Sequence, residues 1–83
     1  MTTIQSTTAA YAVRIENANN WILTENGANL LVCYNGNLSD ENTTEADEIS
    51  ATGSPSQEIT AWANAVGAND LVEFATELAA AGW

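Results

Sequence analysis

Trp21-Ile22-Leu23-Thr24-Glu25-Asn26-Gly27-Ala28-Asn29-Leu30-Leu31-Val32-Cys33-Tyr34 is the stretch that decides the fold. Two apolar runs flank Asn26-Gly27. A two-residue type I′ turn needs positive φ at both central positions, and Asn-Gly tolerates this best, so the pattern is a strong hairpin signal. With Asn26-Gly27 as the loop, the predicted register sets Glu25 against Ala28, Leu23 against Leu30 and Trp21 against Val32. Trp21, Leu23, Leu30 and Val32 then share one face. Ile22, opposite Leu31 and with Cys33 beyond, lies on the other. Both faces are apolar near the middle, whereas a sheet with one wet face alternates apolar and polar residues. The second face is therefore covered by the chain's own loops or offered to a partner. A homodimer through Ile22 and Leu31 is one such arrangement.

Toward the N-terminus, Tyr11, Val13 and Ile15 alternate with Ala12, Arg14 and Glu16, the period of a half-buried strand. Asn17-Ala18-Asn19 breaks that run, and Asn35-Gly36-Asn37 ends the third strand, so strands are expected over about residues 9–35. Asp40, Glu41, Glu45, Asp47 and Glu48 then crowd a polar segment with few core residues, read as an exposed acidic loop over about 39–53. Ile49 anchors its far end as a short edge strand.

The remainder reads as two helices, over about 55–66 and 70–81. Ser54 caps the first, Pro55 suits its first position and Gln57 completes a capping box. Ile59, Trp62, Ala63 and Val66 form its apolar stripe, and Gly67 stops it. Asn69 caps the second helix, with Asp70 at its positive end. Leu71, Phe74, Ala75 and Leu78 form its stripe, and Gly82 ends it before Trp83. The expected architecture is α+β: a three-stranded antiparallel meander, an acidic loop and two short C-terminal helices packed on the sheet.

Composition narrows function more than motif does. The chain has 83 residues, enough for one small domain. Arg14 is its only Arg or Lys, it has no His, and its 11 acids give a formal net charge of −10. Charged residues make up only 14%, below the usual quarter or so, so the imbalance comes from missing bases. Binding that works by neutralising phosphate needs several cations at the contact, which argues against direct nucleic-acid binding. In the second helix, Asp70, Glu73 and Glu77 would repel phosphate, which rules it out as a recognition helix. No stretch approaches the length and apolarity of a membrane span, and the start lacks the basic and apolar regions of a secretory signal, so a cytoplasmic location is expected. The two N-x-S/T triplets, at Asn37 and Asn42, are read as chance.

The usual chemistry of enzymes is missing. Without His there is no Ser-His-Asp or Cys-His arrangement, and without Lys there is no Schiff base or P-loop lysine. Cys33 has no basic neighbour in sequence to activate it and reads as a buried, inert thiol. Asp40-Glu41-Asn42-Thr43-Thr44 offers oxygen ligands as an EF-hand loop does. That loop, however, requires Gly and Glu where this chain has Glu45 and Ala51. No metal, cofactor or catalytic residue is assigned.

A protein of this character is expected to act by contact. The first expectation is an acidic inhibitor that docks on the basic surface of a nucleic-acid-handling protein, as small virus-encoded anti-defence or anti-CRISPR proteins do. Asp40, Glu41, Glu45, Asp47 and Glu48 on the loop, with Asp70, Glu73 and Glu77 on the helix, would steer the approach. Tyr34 and Trp83 are the expected aromatic anchors, with Trp62 assigned to the core. The second expectation is a structural accessory of a virion, a capsid, neck or tail component that self-associates through the spare apolar face.

Overall fold

Strand follows strand without a crossover in the computed structural model, which describes residues 1–7, 10–41, 43 and 48–83. The strands are β1 (Thr2–Gln5), β2 (Tyr11–Asn17), β3 (Asn20–Glu25), β4 (Ala28–Tyr34), β5 (Asn37–Ser39) and β6 (Ile49–Ser50). They form one antiparallel sheet in the order β1-β2-β3-β4-β5-β6. Two helices follow, α1 (Pro55–Val66) and α2 (Asn69–Ala80). The class is α+β as expected, but the sheet has six strands among the described residues, not three. The expected meander corresponds to β2–β4, and β1, β5 and β6 extend it on both sides.

The turns explain much of the extension. Asn26 and Gly27 take φ of 51° and 82°, and Asn35 and Gly36 take 50° and 81°. Both Asn-Gly pairs therefore turn the chain in the left-handed region that suits a two-residue hairpin. The second pair does not end the sheet; it returns the chain as β5, which pairs with β4 through Cys33↔Leu38. Ala51 N–H then donates to the Gly36 carbonyl (2.6 Å), tying the end of β6 to that turn.

A bulge corrects the predicted hairpin register. Glu25 faces Ala28 as expected, but the register slips between Leu23 and Thr24, so Leu23 faces Leu31, Ile22 faces Val32 and Trp21 faces Cys33. Leu30 is the extra residue, and every side chain beyond it changes face. Leu31 and Cys33 join Trp21 and Leu23 in the core, whereas Ile22 and Val32 lie half-buried on the opposite face. Ile22 and Leu31 therefore cannot form one contact surface.

Both helices serve the Trp21 face. Tyr11, Val13 and Ile15 of β2 join Trp21, Leu23, Leu31 and Cys33 against Ile59 and Ala63 of α1 and Leu71, Phe74, Ala75 and Leu78 of α2. Full burial of one such large apolar side chain contributes about 1.5–3 kcal/mol. The predicted α2 stripe is entirely in the core. On α1, Val66 instead stands 55% exposed past the edge of the stripe, and Trp62 only packs against the core's margin. The Ser54 capping box is present, with Gln57 N–H donating to Ser54 Oγ (3.3 Å) and Ser54 N–H to Gln57 Oε1 (2.9 Å). Asn69 is not a cap but the first residue of α2; the cap position is Ala68. The left-handed Gly67 (φ 77°) turns the chain so tightly that Ala68 N–H closes α1 on the Ala63 carbonyl while the Ala68 carbonyl opens α2.

Candidate functional site

Most of the described acidic residues fall into two groups; Glu16 stands apart, exposed beside Arg14 on the helix-free face of the sheet. Asp70 opens α2 and its Oδ1 accepts the Tyr11 hydroxyl (3.1 Å) from β2. Glu77, two helical turns on, accepts the Thr7 hydroxyl (3.1 Å) from the β1–β2 connection. Glu73 lies between them on the same helix flank and is exposed. Burial, then the Asp70 bond and charge, then Glu25 push the Tyr11 phenol up to about 12. Each cause disfavours a second negative charge at this pole.

The other group stands where β4–β6 meet α1. Asp40 follows β5, and its carboxylate is held from two sides. Trp62 Nε1 donates to Oδ2 (3.2 Å) and the Thr43 hydroxyl donates to Oδ1 (2.8 Å). Thr43 Oγ1 also accepts the Asp40 N–H (2.9 Å), which closes a tight local loop. Asp40 thus orients an indole at this position. On α1, Glu58 Oε1 accepts the N–H groups of Thr52 (3.0 Å) and Gly53 (2.8 Å), the two residues that lead into the helix. Between these carboxylates runs a groove of about 310 Å³, walled by Leu31, Leu38, Ala61, Ala65, Trp62 and the exposed Ile49.

Of the residues expected from sequence, Asp40 lies at the groove, while Glu41 and Glu48 are exposed on either side of the loop. Glu45 and Asp47 lie outside the described residues. Asp70, Glu73 and Glu77 belong to the Tyr11 pole and not to the groove. Tyr34, 69% exposed, stands on the helix-free face of the sheet, away from both acid groups. Trp83 packs against the core, its carbonyl accepting the Ser56 N–H (3.1 Å) and its N–H donating to the Leu78 carbonyl (3.0 Å). The aromatic groups that touch the acids are Trp62 and Tyr11. Glu58 was not singled out by sequence either; its place in the first turn of α1 signals only a favourable helix dipole.

Cys33 is buried, with its thiol donating to the Asn19 carbonyl (3.4 Å). Burial pushes this thiol up, the Glu58 charge adds to the effect, and a hydrogen bond from the Gly36 backbone opposes it. A thiol held protonated in this way is a poor nucleophile. Among the described residues, no group of three or more His, Cys, Asp or Glu is placed to hold a metal ion. Nor, among the described residues, is any helix long and apolar enough to cross a membrane. Compared with protein families, with curated proteins and with solved structures, the chain finds no match.

Proposed function

We propose that this protein is an acidic interaction module that works by contact and not by turnover. It acts as an inhibitor that docks on the basic surface of a nucleic-acid-handling protein, in the manner of virus-encoded anti-defence or anti-CRISPR inhibitors. The observation that carries this reading is the placement of charge. Acids stand at the Tyr11 pole and along the α1 groove, while the only cationic side chain, Arg14, is exposed on the opposite face of the sheet beside Ile22. Among the described residues, Arg14 shares its face with Glu16, and neither of the two acid groups has a Lys or Arg of its own chain beside it. The resulting field attracts a basic surface over a Debye length of roughly 10 Å at 0.1 M salt. Such a module competes with nucleic acid for the surface by resembling it in charge.

Capture from a cell lysate at low salt and at about half-molar NaCl tests the reading. The expected catch is basic nucleic-acid-handling proteins that are released by salt and whose action on nucleic acid is blocked by added protein. Tight binding of an oligonucleotide by the purified chain, or capture confined to acidic proteins that resist salt, would overturn it.

One feature favours the second reading, a self-associating virion accessory. Ile22 and Val32 are half-buried on the sheet face that carries no helix. A contact there would be salt-tolerant and would be lost in Val32→Lys, as read by sedimentation velocity.

A further inference from the structure

We propose that the groove between α1 and the β4–β6 side of the sheet receives an arginine side chain from the basic partner. This rests on the docking role above and assigns it a point of entry. The groove's volume of about 310 Å³ is at the small end of ligand pockets, a size for one side chain. Its walls are apolar (Leu31, Leu38, Ala61, Ala65) with the Trp62 indole among them, and two carboxylates border them.

Both carboxylates are already oriented. Asp40 is held by Trp62 and Thr43, and Glu58 Oε1 is held by the Thr52 and Gly53 N–H groups. Glu58 Oε2 accepts no hydrogen bond from the described residues. A half-buried anion interacts with an opposite charge more strongly than an exposed one does, yet this chain's only Arg is on the far side of the sheet. A bare metal ion suits the site poorly, because the walls would leave most of its coordination positions without oxygen ligands. The occupant that satisfies both features has an aliphatic stem to cover the apolar wall and a cationic head to meet the carboxylates. Arginine supplies the stem, a planar fork of donors for carboxylate oxygens and a guanidinium that stacks on aromatic rings.

The test is an NMR titration of the ¹⁵N-labelled protein at low salt with N-acetyl-arginine methylamide, and with the citrulline analogue as its neutral isostere. Saturable shifts are expected at the Trp62 indole N–H and at the Thr52 and Gly53 amides, with little response to citrulline. Glu58→Gln retains an oxygen for both backbone donors, and Ala65→Leu fills the groove from an exposed helix position without changing charge. Each should weaken binding by about fivefold or more. An equal response to citrulline, equal shifts at Tyr11 and Glu77, or unaltered affinity in both variants would overturn the proposal. An oligo-arginine peptide separates the two levels. If it binds the wild type and both variants alike, the groove is excluded and the docking role stands. If it fails to bind the wild type at low salt, the docking role falls as well.

Discussion

Tyr11 shows how one residue joins distant parts of this chain. Its ring stacks with Phe74 at a centroid distance of 6.2 Å, and its hydroxyl reaches Asp70, 59 residues away in sequence. The strand periodicity places Tyr11 on an inward face, but nothing local shows which carboxylate meets it. The same holds for Trp62 and Asp40, and for Glu58 beside Thr52: each becomes a site residue through a partner supplied by another element. The phenol has its ordinary pKa of 10 in the unfolded chain and about 12 in the folded one. Between these values the folded state holds the proton more tightly, so stability falls as pH rises from 10 toward 12. Tyr11→Phe should cost about 0.5–1.5 kcal/mol at neutral pH and flatten that decline. Urea melts of the two proteins at pH 8 and 11 check both. Trp21 presents a local cost instead: among the described residues its buried indole N–H has no hydrogen-bond partner.

At the scale of elements, turn chemistry was readable and strand number was not. Asn35-Gly36 carries the same dipeptide signal as Asn26-Gly27. It reads as a strand end because Asn37-Leu38-Ser39 is too short to show alternation. β1, at four residues, is hardly a longer signal, whereas the two-residue β6 is the short edge strand that Ile49 marks. The bulge at Leu30 has no sequence mark, since either register gives two apolar faces; only the position of the helices selects Leu31 over Leu30. α2 is legible because its stripe is complete, while its cap is not, because no local signal shows that Ala68 serves both helices. Gly36→Ala should cost about 1–2 kcal/mol, because a Cβ there would sit at φ 81° with only Asn19 Oδ1 nearby, at 3.8 Å; backbone strain and not a clash sets the cost. Ser54→Ala should cost about 1 kcal/mol by leaving the Gln57 N–H without its cap. Equilibrium unfolding of both variants measures these terms.

For the molecule as a whole, charge and size act together. A formal −10 on 83 residues opposes compaction, and no disulfide offsets it because Cys33 is the lone cysteine. Added NaCl should therefore raise the melting temperature, with each 1 kcal/mol gained appearing as roughly 4–8 °C. A flat response up to about half-molar salt would contradict a self-repelling surface. The unbroken strand order has a kinetic consequence. Every sheet pairing joins neighbours along the chain, so little loop-closure entropy is lost at each step, and hairpins can zip in succession as the polypeptide emerges from the ribosome. Only the docking of α1 and α2 spans a large sequence separation, so that late event carries most of the entropic barrier to reaching the native state.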